Sequence, residues 1–156
     1  MTRSVAFALA FALLAACSPP ASNTAAAPGE AAAQTSAGAP AGADDAIAAW
    51  YRQQHGINLI EPVNTFYGDF SGDGAADALA FGYFDMGGSG AGLTIALFRN
   101  ESGNMSLVRT VDDVFGMDPR NVQFAQGRIT LTTTMPRPGD PHCCPTGSQD
   151  WTIETN

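Results

Sequence analysis

The sequence predicts an α+β fold that is mainly β, with an antiparallel meander sheet and one N-terminal helix packed on it. Three observations predict this class. One segment, residues 44–55, has the apolar spacing of an amphipathic helix. After it come short apolar runs bounded by Gly, Asn, Asp and Pro clusters, which is typical of strands joined by turns. Two of the connections have the length of tight hairpin turns. The pattern leaves open whether the sheet stays open or curls into a barrel.

The predicted helix, DDAIAAWYRQQH, covers residues 44–55. Asp44 or Asp45 is expected to cap its first backbone amides, and Gly56 is expected to end it. The apolar side chains share one face at i, i+3 and i+4 spacing, so this face should pack on the sheet. They are Ile47, Trp50 and Tyr51.

The strand predictions differ in how they expose their faces. Residues 78–84 and 92–98 are apolar on both faces and are predicted to be central strands, whereas residues 128–135 alternate apolar and threonine side chains. Hairpin turns are predicted at 126–127 and at 101–104, where Gly103 allows a positive φ. The predicted strands are NLIEPVNTFY (58–67), ALAFGYF (78–84), GLTIALF (92–98), MSLVRTV (105–111), NVQFA (121–125), RITLTTTM (128–135) and DWTIET (150–155).

The N-terminus has the pattern of an export signal. Arg3 precedes the apolar run VAFALAFALLAA, which is too short to span a bilayer as a helix. The run ends in LAAC, residues 14–17, and this motif resembles the lipobox of bacterial lipoproteins. The resemblance implies cleavage before Cys17 and acyl chains on that cysteine, which would anchor the protein to a membrane. In the enteric lipoproteins that this motif resembles, an aspartate after the cysteine retains the protein at the inner membrane, so in a host with two membranes Ser18 implies the outer membrane, facing the periplasm.

The next segment is predicted to be a tether. Residues 18–43 are almost entirely Ala, Pro, Gly, Ser and Thr, and they lack the large apolar side chains needed to offset the entropy of ordering. The predicted organisation is therefore a signal peptide at 1–16, a lipidated cysteine and disordered tether at 17–43, and a β-rich domain at 44–156. This last segment is long enough for one domain with its own core.

The charge of the chain excludes some partners. All seven basic residues are arginine, against fifteen acidic residues, for a net charge of −8. Nucleic acids and anionic lipids require clustered positive charge, so no nucleic-acid partner is predicted. The partners predicted are the membrane, through the lipid anchor, and a protein or other component of the envelope.

Residues 69–77, here called the aspartate loop, have the spacing of a calcium site. Asp69, Ser71, Asp73 and Asp77 supply oxygens at positions 1, 3, 5 and 9, and the carbonyl of Ala75 lies at position 7. The loop resembles the D-x-S-x-D-G-x-x-D loop of FG-GAP and integrin-type repeats, which implies a calcium cofactor held by these residues. The other interpretation is a polar turn between two strands.

The remaining cysteines are adjacent, in the stretch PRPGDPHCCPTG at residues 136–147, here called the cysteine loop. Since export places the chain in an oxidising compartment, a disulfide between Cys143 and Cys144 is predicted. Consecutive residues are closer than a relaxed disulfide prefers, so this bond would be strained and reducible. Two alternatives are a copper or zinc ion held by His142, Cys143 and Cys144, and free thiols or bridges to another chain.

The combination of lipobox, tether, a single aspartate loop and a C-terminal DPHCCPTG is similar to poorly characterised exported bacterial proteins, including the LppP/LprE-like lipoproteins. This resemblance implies no activity. The sequence contains no arrangement of nucleophile and base, so the function predicted is that of a non-enzymatic envelope lipoprotein with a binding or structural role. The alternative is a thiol-redox or metal-handling periplasmic protein that uses residues 142–144.

Overall fold

The structure is a computed structural model that describes residues 34–88, 90–141 and 143–155. Its described part is mainly β, as the sequence predicts, with one α-helix that a short 3₁₀ turn extends. The elements are β1 (Gln34–Thr35), α1 (Ala43–His55), the 3₁₀ turn (Gly56–Asn58), β2 (Leu59–Gly68), β3 (Asp77–Asp85), β4 (Ala91–Glu101), β5 (Asn104–Val111), β6 (Met117–Ala125), β7 (Arg128–Met135) and β8 (Gly147–Glu154).

The strands form two antiparallel sheets where the sequence predicted one. Sheet I has the order β2-β3-β4-β5, and sheet II has the order β1-β6-β7-β8. The meander is interrupted between β5 and β6, where Val114 is buried in the core and β6 pairs with β7 instead of β5. The two sheets are not closed on each other, so the sheet arrangement that the sequence left undecided is an open one.

The main core lies between the two sheets. Large apolar side chains from the inner faces meet there, which buries most of the apolar area that stabilises the fold. The fully buried members from sheet I are Leu79, Phe81, Ile95 and Leu97, and those from sheet II are Phe124, Ile129, Leu131 and Ile153.

A second, smaller core lies between α1 and the outer face of sheet I. Ile47 and Tyr51 of the helix are fully buried against Ala78 and Ala80 of β3. Strand β3 therefore directs small residues toward the helix and large ones toward sheet II, because successive side chains of a strand point to opposite faces. This confirms that the run is a central strand buried on both faces, and it produces three layers: helix, sheet I and sheet II.

The predicted helix is confirmed, with a start one residue earlier than predicted, but the predicted N-cap at Asp44 or Asp45 is wrong. Its N-cap is Gly42, with φ 76°, and no side chain makes a capping hydrogen bond. Asp44 instead accepts a hydrogen bond from the Tyr67 hydroxyl, at 2.6 Å, because packing of the helix on β2 places that hydroxyl within reach. Gly56 ends the helix with φ 58°, as predicted.

The segment predicted as tether contributes residues to the fold. Gln34–Thr35 pair with β6, and the Ala37 backbone bridges to Tyr67 of β2. Residues 34–37 thus contact both sheets at the seam where the sheets meet. Residues 1–33, which include the predicted signal peptide and Cys17, lie outside the described residues.

Both predicted hairpins are confirmed. Gln126 and Gly127 separate β6 from β7. Ser102 and Gly103 separate β4 from β5, with φ of 56° and 95°, the positive values that a tight hairpin turn requires.

Candidate binding site

A cleft lies at the seam between the sheets, beside the N-terminal half of α1. It encloses about 710 Å³, a volume in the range of ligand-binding clefts. We call it the acidic cleft. Its lining residues are Asp44, Asp45, Ala48 and Arg52 of α1, residues 61–66 of β2, and Asp118 and Pro119 of β6.

The cleft is strongly anionic, since four carboxylates line it against one guanidinium. Arg52 is already engaged, because its Nε donates to Glu61 Oε1 across the cleft. This hydrogen bond holds the pKa of the Glu61 carboxyl below its ordinary value. Asp45 and Asp118 make no side-chain hydrogen bond or ion pair with any residue that the structure describes. Their carboxylates add to the negative charge at the cleft.

The wall formed by β2 is a strand edge. Strand β2 is the outermost strand of sheet I, and the Ala37 amide donates to the Tyr67 carbonyl on its open side. Outward-facing backbone groups recur every second residue along an edge strand, so the next outward residue is Thr65, which lines the cleft. Beyond Ala37 the chain turns away toward α1, and no described strand lies opposite Thr65.

Sequence reasoning missed this cleft. Two of its carboxylates, Asp45 and Asp118, are far apart in the chain, and neither belongs to a motif. The only local signal was the pair Asp44 and Asp45, which the sequence explained as helix-capping residues. The anionic composition argued against a nucleic-acid partner, but it did not indicate where any partner would bind.

The predicted aspartate loop connects β2 to β3, and its carboxylates accept backbone amides. Asp69 accepts from the amides of Gly72, at 2.5 Å, and Gly74, at 2.8 Å. Asp73 accepts from the Ala75 amide at 2.8 Å. The loop is therefore held by its own side chains in the manner of an Asx turn.

Asp77, the last acidic residue of the loop, is fully buried at the start of β3. Its Oδ2 accepts from the Ser71 amide and its Oδ1 from the Asn100 amide, each at 2.9 Å. It ties the loop to the end of β4. Buried carboxylates require such partners, because an unpaired buried charge is very costly.

Calcium takes six to eight oxygen ligands around one point. Within the part of the chain that the structure describes, no three His, Cys, Asp or Glu side chains come together as metal ligands. In the described structure, Asp69 and Asp77 accept hydrogen bonds from backbone amides, as a polar turn requires. Calcium bound by residues 69, 71, 73, 75 and 77 stays a prediction.

The cysteine loop connects β7 to β8, and Cys143 and Cys144 are joined by a disulfide and exposed. Asp140 holds the loop: its carboxylate accepts from the amides of Arg137 and Thr146, both at 2.8 Å, and from the Thr146 hydroxyl at 3.0 Å. The two amides hold the pKa of the Asp140 carboxyl below its ordinary value. His142, the third predicted metal ligand, lies outside the described residues.

His55 ends α1 and packs on sheet I. Its Nε2 lies 3.1 Å from the Thr94 hydroxyl, and its ring stacks on Phe84 with centroids 4.1 Å apart. These contacts fix the imidazole against the sheet, in addition to the favourable position of histidine at a helix C-terminus.

Comparisons with known proteins add no relative. No family model, no curated protein and no solved structure matches the chain. Among the described residues, no helix has the length and apolar character needed to cross a membrane.

Proposed function

We propose that this chain is a lipid-anchored, non-enzymatic binding domain of the bacterial cell envelope, and that the acidic cleft binds an extended basic segment of a partner protein. The observation that carries the proposal is the edge of β2 at Thr65, which faces a cleft lined by four carboxylates. A peptide strand added to an exposed sheet edge gains backbone hydrogen bonds, and its side chains set specificity.

The chain itself occupies the neighbouring position on the same edge. Ala37 pairs with Tyr67 in antiparallel orientation, and the chain then leaves the edge before it reaches Thr65. A partner segment would continue this pairing where Ala37 ends it. Its lysine or arginine side chains would lie near Asp45 and Asp118, the two lining carboxylates that form no ion pair with any described residue.

The lipid anchor rests on the lipobox at residues 14–17. It is tested in cells by comparing the wild type with Cys17→Ser. The wild type should fractionate with membranes and carry acyl chains by mass spectrometry. The variant should be released from membranes or keep its leader. A wild-type protein that washes from membranes with an unmodified thiol would contradict the anchor.

Binding is tested on the full-length protein in detergent, with a fluorescently labelled octapeptide of alternating lysine and valine. We expect saturable binding by fluorescence anisotropy that weakens with added salt, because the attraction is electrostatic. The same peptide with glutamate in place of lysine should not bind. Absence of binding by the lysine peptide would contradict the proposal.

Two double variants distinguish the cleft from general acidity. Asp45→Asn with Asp118→Asn should weaken binding about tenfold, which corresponds to about 1.4 kcal/mol. Asp112→Asn with Asp113→Asn removes the same charge from exposed positions outside the cleft and should leave binding within about twofold. Equal weakening in both would mean that the peptide is attracted only by net charge.

A third variant tests the strand edge separately from the charge. Thr65→Pro removes the outward-facing amide of the β2 edge, and proline is tolerated on edge strands. We expect it to weaken the lysine peptide while the thermal unfolding transition stays cooperative. Unchanged affinity would show that the peptide binds the carboxylates without adding to the sheet.

A further inference from the structure

The cysteine loop carries a reactive group that the acidic cleft does not use. The disulfide between Cys143 and Cys144 is exposed at the surface, between the ends of β7 and β8. Among the residues of this loop that the structure describes, none is a buried member of either core. A reagent in solution can therefore approach the two sulfur atoms without disturbing the packed layers.

The loop keeps its shape by means other than the disulfide. Asp140 accepts three hydrogen bonds that join Arg137 to Thr146, and these residues flank the cysteines on either side. The Cys144 amide also donates to the Pro141 carbonyl at 3.0 Å. The disulfide itself closes the smallest ring that two cysteines can form, so it constrains the unfolded chain little. Opening it should leave the fold intact.

The covalent geometry favours reduction. Since the two residues are consecutive, their Cα atoms are 3.8 Å apart, below the range of about 4.4 to 6.8 Å found for relaxed disulfides. Strained and exposed disulfides are more easily reduced than structural ones. This property follows from adjacency and holds for any backbone that keeps the peptide bond trans.

We infer that the cysteine loop is a site of reversible thiol–disulfide exchange, whose substrates are dithiol reductants. A thiolate of the reductant attacks one sulfur of the pair and forms a mixed disulfide, while the other cysteine leaves as a thiolate and takes a proton. The second thiol of the reductant then displaces the first cysteine and closes its own disulfide. The reductant loses two electrons and two protons, and Cys143 and Cys144 gain them as two thiols.

A redox titration of the full-length protein in detergent tests this inference. Mixtures of reduced and oxidised dithiothreitol in different ratios set the reduction potential of the solution. Alkylation then traps the free thiols, and peptide mass spectrometry counts them. We expect the pair to be half-reduced at a ratio of reduced to oxidised dithiothreitol that is at least about tenfold lower than the ratio needed for a buried structural disulfide of a reference protein in the same tube. The melting temperature should be the same before and after reduction. A pair that resists reduction as the reference does, or whose reduction unfolds the domain, would overturn the inference.

A trapping experiment gives a second readout, which is whether one cysteine of the pair can displace a thiol bound to the other. Reduced Cys144→Ser, incubated with oxidised glutathione, should keep one glutathione on Cys143, because no neighbouring thiol can displace it. The reduced wild-type protein should release the glutathione and reform its own disulfide. Retention of the adduct by the wild type, to the same extent as by the variant, would overturn the inference.

Discussion

Replacing Tyr51 with phenylalanine removes one buried hydroxyl between α1 and sheet I. The Tyr51 side chain is fully buried. Its hydroxyl donates to the Ala80 carbonyl at 2.9 Å and lies 3.0 Å from the Thr94 carbonyl. It therefore joins the helix to both central strands of the sheet, and the variant keeps the ring while losing that connection.

The cost at neutral pH follows from the hydrogen bonds. A net contribution of about 0.5 to 1.5 kcal/mol is typical for one intramolecular hydrogen bond. The two carbonyls belong to paired strands and keep their backbone partners, so little further penalty is expected. Tyr51→Phe should lower the free energy of unfolding by about 1 to 1.5 kcal/mol at pH 7, and the melting temperature by several degrees.

The loss of unfolding free energy caused by Tyr51→Phe should be smaller at high pH. Burial raises the pKa of the Tyr51 hydroxyl above its ordinary value of 10. Between pH 10 and that raised pKa, the unfolded chain loses the proton while the folded chain keeps it. The contribution of Tyr51 is therefore fully present below pH 10 and is lost as the pH rises, by about 1.4 kcal/mol at pH 11. Phenylalanine has no proton to lose, so the two proteins should have nearly equal stability at pH 11.

Urea denaturation followed by tryptophan fluorescence at pH 7, 9 and 11 measures these differences. Tyr83→Phe is the matched control, because the buried Tyr83 hydroxyl has no hydrogen-bond partner among the described residues. Removing this hydroxyl should change the free energy of unfolding by about zero at pH 7. The reasoning would be refuted if, at pH 7, Tyr51→Phe lowered the free energy of unfolding no more than Tyr83→Phe, or if the effect of Tyr51→Phe were the same at pH 11 as at pH 7.

Three further predictions concern packing and the aspartate loop. Gly82→Ala should lower the free energy of unfolding by about 1 to 3 kcal/mol in urea denaturation, since the added Cβ would overlap the Tyr51 ring. Gly90→Ala is the control, because open space surrounds that position, and it should be near neutral. Asp77→Ala should lower the free energy of unfolding by about 3 kcal/mol in the same assay, because two buried amides lose a charged acceptor. If the aspartate loop binds calcium, a calorimetric titration should show heat and the melting temperature should fall in chelator, and Asp73→Asn should abolish both effects. Absence of heat with the wild type would contradict calcium binding and support the polar-turn interpretation.

Local patterns in the sequence predicted most of the elements. The helix at 44–55 and the central strands at 78–84 and 92–98 were predictable because side-chain spacing reports which faces are buried. The hairpins at 126–127 and 102–103 were predictable because few residues tolerate a positive φ.

Elements without such a signal were missed. Gln34–Thr35 form β1 within a polar, low-complexity segment, and their pairing with β6 depends on backbone groups that every residue carries. The division into two sheets was missed as well, since nothing local around Val114 indicates that the chain crosses from sheet I to sheet II there.

The sequence by itself determined the local chemistry of this protein: a motif at residues 14–17 that resembles a lipobox, an aspartate-rich turn, a pair of adjacent cysteines and a strongly anionic chain. Each of these depends on neighbours in the chain. Tertiary structure alone decided the acidic cleft, because Asp45, Glu61 and Asp118 meet only when α1 packs on sheet I and the two sheets meet at their seam. The physical reason is that burial of apolar faces brings distant segments together, and the polar residues at their borders are carried along wherever that packing places them.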